Sequence, residues 1–324
     1  MIDGKGREID YIRISVTDRC NLRCCYCMPE DGIPACSHEE ILRYDEILRL
    51  TEAFAGLGFR KVKLTGGEPL VRRNLAGLVG ELKAIPGIEQ VTLTTNGVLL
   101  QEQMKELAEA GIDSINLSLD SLDPGTYQQI TRRDCLDQVL EGMREALRYP
   151  GIPLKINCVP MGQSEEELCE LAELARTCLV HVRFIEMMPI GLGKGFQGRS
   201  EQEILEILED RFGPAGPVSE ILGNGPGHYY EFAGFHGRIG FISAVSHKFC
   251  HTCNRVRLTS QGYLKTCLQY DRGKDMREPL RAGASLEELQ ELIREALLEK
   301  PEGHAFFQNS GENKEQRIMS QIGG

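Results

Sequence analysis

Between Asp10 and Glu186 the chain repeats one rhythm, a short β-type run followed by an amphipathic helical one. The strand candidates are "DYIRISV", "KVKLT", "QVTLTT", "SINLSLD", "PLKINCV" and "HVRFIEM". Helical stretches such as "EEILRYDEILRLTEAFAGLG", "QEQMKELAEAG" and "SEEELCELAELART" lie between them, with apolar residues at three- and four-residue spacing. Strands joined through helices lie parallel, with right-handed crossovers. Six such units, where a complete barrel has eight, predict an α/β fold built on a partial (β/α)6 barrel.

The strands are two-faced. One set of alternate positions is apolar: Ile12, Ile14 and Val16; Val62 and Leu64; Val91 and Leu93; Ile115, Leu117 and Leu119; Leu154 and Ile156; Val182 and Phe184. The other is polar: Arg13 and Ser15; Lys61, Lys63 and Thr65; Thr92 and Thr94; Ser114, Asn116 and Ser118; Lys155 and Asn157; His181 and Arg183. Successive side chains of a strand point to opposite sides, so the apolar set belongs under the helices and the polar set in the lumen. An ordinary barrel of this kind fills its lumen with branched apolar residues. Cations on four of the six strands point instead to a polar, anionic ligand inside.

Gly- and Pro-rich segments, "MPIGLGKGFQGRS" and "FGPAGPVSEILGNGPGH", mark a break after the sixth strand. The expected division is a barrel over residues 1–195 and a smaller α+β domain over 196–324. The second part holds strand candidates "YYEF" and "RIGFI", a cysteine group, and a terminal helix near "SLEELQELIREALLEK".

The polar opening "MIDGKGREID" lacks the apolar stretch of a signal peptide. No run reaches the ~18 apolar residues of a membrane helix, so a soluble cytoplasmic protein is expected. A net charge of −11 argues against non-specific binding to nucleic acid or anionic membrane. In a reducing compartment, twelve cysteines suggest metal ligands and buried fillers before disulfides. Cys36, Cys135, Cys158, Cys169 and Cys178 are scattered and read as core fillers.

The loop after the first strand, "DRCNLRCCYCMPE", carries Cys20, Cys24 and Cys27 as C-x3-C-x2-C, with Cys25 outside the spacing. Three thiolates on one loop can bind three corners of a cubane iron–sulfur cluster and leave one iron open to a small molecule. A structural zinc knuckle is the alternative, although such sites usually close with four ligands. The loop resembles the signature of radical S-adenosylmethionine (SAM) enzymes, in which the open iron chelates the methionine moiety. That resemblance implies that Tyr26 packs near the adenine. It also implies that "TGGEP", with Gly66, Gly67 and Glu68, holds the SAM amino group, and that Ser118 of "SLD" and a methionine of "IEMM" complete the contacts. Met188 aligns better than Met187. Taken alone, the two glycines allow close backbone approach to a ligand.

The second group, "FCHTCNRVRLTSQGYLKTC", places Cys250, Cys253 and Cys267 in another triad. His247 or His251 could complete a zinc site there. Arg255 and Arg257 fall on one strand face beside it, and guanidinium pairs suit phosphate. A surface strand with salt bridges is the plain alternative.

With "TTNG", "FIEMM", "CNRVRLT" and the terminal "IGG" added, the chain resembles the GTP 3′,8-cyclase family nearly end to end. The resemblance implies two 4Fe–4S clusters, one cleaving SAM and one meeting the guanine of GTP. It implies GTP binding by Arg13, Lys63, Thr94, Lys155, Arg255, Val256 and Arg257, with Lys63 standing where an arginine is expected. It implies catalytic roles for Arg13, Gly323 and Gly324, with Met319 and Ile322 anchoring the tail; a frayed terminus is the alternative. Implied partners are an electron donor such as flavodoxin or ferredoxin and a downstream cyclic pyranopterin monophosphate synthase, with the chain a monomer or homodimer. Two other functions stay open: a peptide-modifying radical SAM enzyme with an auxiliary cluster, and a zinc-stabilised binding module.

Overall fold

A computed structural model describes residues 1–34, 36–220, 222–306 and 315–323. The first part runs β1 (Tyr11–Ser15), α1 (Tyr44–Gly56), β2 (Lys61–Thr65), α2 (Leu75–Ala84), β3 (Gln90–Thr95) and α3 (Leu100–Glu109). It continues β4 (Ser114–Ser118), α4 (Pro124–Thr131), α5 (Leu136–Ala146), β5 (Leu154–Cys158), α6 (Glu165–Thr177) and β6 (His181–Ile185). Strands β1 to β6 pair in chain order, all parallel. All the apolar strand positions expected under the helices, Ile12 to Phe184, are buried in one core.

The remainder runs α7 (Glu201–Phe212), β7 (Gly216–Val218), β8 (His228–Glu231), β9 (Ile239–Ile242), β10 (Arg255–Leu258), β11 (Tyr263–Lys265) and β12 (Gly273–Asp275). Helices α8 (Arg277–Arg281), α9 (Leu286–Leu298) and α10 (Met319–Ile322) follow. These strands do not build a separate sheet. Strand β10 adds parallel to β1, and β9 adds parallel to β6. One sheet results, in the order β12-β11-β10-β1-β2-β3-β4-β5-β6-β9-β8-β7, whose outer strands are antiparallel. The sheet curves strongly. Lys63 on β2 feels the charge of Arg183 on β6, which a flat sheet would hold about 19 Å away at four strand spacings.

Reciprocal caps set several helix starts. At α6 the Ser164 hydroxyl accepts from Glu167 N (3.2 Å) while the Glu167 carboxylate accepts from Ser164 N (2.8 Å). Ser285 and Ser200 do the same for α9 and α7. The helical pattern expected from Glu39 begins only at Tyr44. Leu42 N is spent on Ser260 O (2.8 Å), and Glu46 caps Arg43 N (2.7 Å), so the residues before Tyr44 are drawn away from helix. Among the described residues, no helix is long and apolar enough to cross a membrane.

Candidate active site

The concave face of the sheet encloses a cavity of about 630 Å³. Arg13, Lys63, Thr65, Thr92, Thr94, Ser114, Asn116, Ser118, Lys155, Asn157, His181 and Arg183 line it, as strand alternation required. Lys61 and Ser15 are exceptions. Lys61 turns to Asp10 (2.7 Å), and Ser15 lies buried beneath the C-terminal tail. Strand β10 adds Arg255 and Arg257 to the lining, with Arg257 directly beside Arg13 in the parallel register. Val256 points the other way, into the hydrophobic core, so only its main chain can face a ligand.

These cations crowd one another. Burial and then the charges of Arg13, Arg183 and Lys155 push the Lys63 ammonium well below its usual value. Burial and Arg183 bring Lys155 down to about 8, and burial with Lys155 and Arg183 lowers His181 to about 4. Arg257 is driven down in the same way, by burial and then by Arg13. The nearby carboxylates are engaged elsewhere: Asp113 holds Lys83 (2.8 Å), and Glu186 accepts from Val245 N (2.7 Å) and Ser246 N (2.9 Å). A polyanion bound here would relieve this repulsion.

At one end of the cavity lie Cys20, Cys24 and Cys27; Cys25 does not line it. The thiol loop turns through Cys27 N→Cys24 O (2.9 Å) and is pinned to the end of α4 by Arg23 N→Thr131 O (3.0 Å) and Cys25 N→Ile130 O (2.9 Å). Gly66 and Gly67 line the cavity, but their lack of a side chain serves this loop first. A Cβ on Gly67 would stand 2.4 Å from Arg19 O, and one on Gly66 2.7 Å from Thr17 O. Glu68 accepts from Leu70 N (3.0 Å), Thr95 Oγ1 (2.7 Å) and Asn96 N (2.7 Å), tying "TGGEP" to "TTNG"; burial raises it to about 7. Ser118, Met187 and Met188 also line the cavity. Tyr26 donates to Asp120 (2.9 Å), a buried carboxylate that strand alternation did not single out.

At another part of the cavity lie Cys250, Cys253 and Cys267. Arg7 positions that loop by donating to Cys250 O (2.9 Å), Glu302 O (3.0 Å) and Pro301 O (2.7 Å). Neither candidate histidine joins the triad. His247 is exposed and faces Glu201 (3.3 Å), and His251 is exposed, with neither in the cavity lining. Two residues that sequence spacing did not single out stand there instead. Lys300, buried, donates to Arg255 O (2.8 Å) and reaches Cys253 Sγ at 3.7 Å. His304 lines the cavity, interacts with Cys250, and stacks on Phe306 at 4.3 Å.

Both triads fit iron–sulfur clusters by donor chemistry, three thiols each around one cavity. Among the described residues, no three His, Cys, Asp or Glu side chains converge on the point a single ion would occupy. A cluster is larger than one ion and takes its thiolates further apart. Burial pushes Cys20 up to about 11 and Cys27 to about 12, a cost that a cationic metal centre offsets.

The tail enters the same cavity. Ile322 is fully buried, Met319 lines the cavity, and Gly323 O accepts from Arg257 Nη1 (2.6 Å). Gly323 has φ +89°, and a Cβ there would meet Ser15 Cβ at 2.8 Å, so only glycine fits. Gly324 lies outside the described residues.

Residues 14–175 match the family model described as the Radical SAM superfamily, and residues 180–306 match Molybdenum Cofactor Synthesis C. The "GTP 3′,8-cyclase" of Clostridium perfringens (strain SM101 / Type A) is 43% identical over 325 residues, spanning all of both chains. That of Petrotoga mobilis is 46% identical over 328 residues, again spanning both. Among solved structures, Streptococcus suis SuiB covers 90% of this chain and 67% of its own, with a TM-score of 0.63 at 15% identity. SuiB bound to S-adenosylmethionine covers 92% and 73%, with a TM-score of 0.61 at 16% identity. At such identity the likeness is one of fold.

Proposed function

The chain belongs to the GTP 3′,8-cyclases of the radical SAM superfamily, and from that premise we propose how its cavity works. The reaction is cyclisation of GTP to (8S)-3′,8-cyclo-7,8-dihydroguanosine 5′-triphosphate, the first step of molybdenum cofactor biosynthesis. One observation carries the assignment of sites: two thiol triads and a crowded set of cations share a single cavity.

Cys20, Cys24 and Cys27 would hold a 4Fe–4S cluster, and Cys250, Cys253 and Cys267 a second. The first, when bound and reduced, supplies the electron that splits SAM into methionine and a 5′-deoxyadenosyl radical. The chain's own part is placement. Tyr26, held by Asp120, and Gly66, Gly67, Glu68, Ser118 and Met188 would surround SAM beside the first triad. Arg13, Lys63, Lys155, Arg255 and Arg257, with Thr94 and the main chain of Val256, hold GTP with its base toward the second triad. In that pose the ribose 3′ hydrogen would face the deoxyadenosyl carbon. Its transfer gives 5′-deoxyadenosine and a C3′ radical that attacks guanine C8, and one electron and one proton complete the product. Burial of the lining groups excludes water from the radicals. Arg13 and the two C-terminal glycines, Gly323 and Gly324, are the residues assigned to act on the bound substrate. A flavodoxin or ferredoxin in the cytoplasm supplies electrons, and the product passes to the synthase that makes cyclic pyranopterin monophosphate.

A peptide substrate, the alternative within this chemistry, has no need of cations gathered about Arg13 and Arg257. Anaerobic incubation with GTP, SAM and reductant tests the reading. Formation of 5′-deoxyadenosine together with a cyclised nucleotide is expected; 5′-deoxyadenosine that forms equally without GTP, and no cyclised nucleotide, would overturn it.

A further inference from the structure

Two cations on neighbouring strands hold the two ends of the tail. Strands β10 and β11 are antiparallel with Arg257 opposite Lys265, so both side chains leave the same face of the sheet, and both line the cavity. Arg257 takes Gly323 O at the tail's end. Lys265 takes the Glu315 carboxylate at its start, with side-chain exposures of 0% and 2%. Lys265 Nζ also donates to Tyr270 O (2.8 Å). Glu315 is bound on every side: its N donates to Gln269 O (2.8 Å) and its second carboxylate oxygen accepts from Arg317 N (2.8 Å). Arg317 in turn meets Asp271 (3.2 Å) and lies over the Tyr263 ring (4.8 Å).

A buried ion pair is a poor way to gain stability, because desolvating both charges consumes most of the attraction. What it offers that an apolar pair cannot is direction, since only one arrangement pairs both charges. Register matters at the other end of the tail. A slip of one residue either way would take the Gly323 carbonyl off Arg257, and the slip that brings Ile322 there would put a Cβ 2.8 Å from Ser15 Cβ. The helix α10 between the two anchors also brings the Ser320 N–H to Cys27 Sγ, so a slip would disturb the first triad's surroundings too.

We infer that Glu315 is a positioning residue: through Lys265 it sets the register of the C-terminal tail, so that Gly323 meets Arg257 inside the cavity. This rests on the reading that the tail acts in the reaction. Because Ser320 also meets Cys27, some loss of SAM cleavage is expected, but the larger effect should fall on coupling, the cyclised product formed per 5′-deoxyadenosine.

The test is Glu315→Gln in the full-length, cluster-loaded protein, read by hydrogen exchange of residues 316–323 and by cyclised product formed per 5′-deoxyadenosine. Loss of one partner of a buried pair is expected to speed tail exchange on the order of a hundredfold. Iron content should match the wild type while the product ratio falls. Should that variant fail to fold, Lys265→Met breaks the same pair from the other side and should speed tail exchange in the same way. Unchanged tail exchange in the folded variant overturns the inference. Faster exchange with an unchanged product ratio supports the anchor and instead defeats the reading that the tail acts, which full activity after deletion of residues 323–324 would also defeat.

Discussion

Two triads of cysteine face one cavity, and their surroundings have opposite sign. Around Cys20, Cys24 and Cys27 burial raises every thiol, and the carboxylates of Glu68 and Asp120 add to it. Around Cys253 burial acts the same way, but Lys300 and then Arg255 outweigh it and bring the thiol down to about 7. Cys250 is likewise lowered, with His304 overcoming burial. Ligand number is equal, so the difference lies in what the rest of the chain places nearby. A cluster among carboxylates gains an electron reluctantly, and one beside an ammonium gains it more readily. The chain thus surrounds the first triad with carboxylates and the second with cations.

The largest effects come from removing one side of this comparison. Alanine at Cys20, Cys24 or Cys27 should abolish SAM cleavage outright, whereas Cys253→Ala should leave cleavage measurable and stop cyclisation. Cys25→Ala should change neither, because that residue does not line the cavity. A Cys25→Ala protein without its first cluster, shown by the iron-dependent absorbance, would mean that the wrong three thiols were chosen.

Next come the cations on the second triad's side. Alanine at Arg255 or Arg257 removes a charge-assisted contact worth ~1.5–3 kcal/mol, on the order of ten- to a hundredfold in GTP affinity. The first cluster's spectrum should not move. Equilibrium dialysis showing wild-type affinity in both variants would remove these arginines from the GTP site.

A smaller effect follows from Lys155, which burial and Arg183 lower to about 8. Below that pH the ammonium is charged in the free protein, and GTP affinity from this group is at its maximum. As pH rises through 8 the free lysine loses its proton, and binding a triphosphate must recover it. Affinity should then fall, by at most about tenfold per pH unit for one proton. Lys155→Met should bind more weakly at pH 7 and lose that dependence; calorimetry from pH 7 to 9.5 reads both.

The smallest effect is the sharpest on the comparison itself. Lys300→Met should lower the midpoint potential of the second centre by tens of millivolts and leave the first unchanged. A shift in the first centre alone would show that the contrast in surroundings does not set the potentials.

Much of this was legible in the chain. Strand alternation placed Arg13, Lys63, Thr94 and Lys155 in the lumen because period two leaves no other side for them, and the cysteine spacing marked both triads. What stayed hidden depends on pairing across long separations. Nothing local says that β10 lies beside β1, so the adjacency of Arg257 and Arg13 could not be read. Strands β11 and β12 are three residues each, too short to show a period. Lys300 closes an acidic helical run and looks like a solvated end, yet it is buried against Cys253. The glycines of "TGGEP" announced a close approach without saying that the cysteine loop's own backbone makes it.

On this reading each triad holds a four-iron cluster independently of the other. Iron and sulfide counted on anaerobically purified protein test it most directly, in the wild type and in variants with all three cysteines of one triad replaced by alanine. Roughly eight iron per chain are expected in the wild type and roughly four in either variant, from two cubanes of four. Four in the wild type, or zinc in place of iron at either triad, would contradict it.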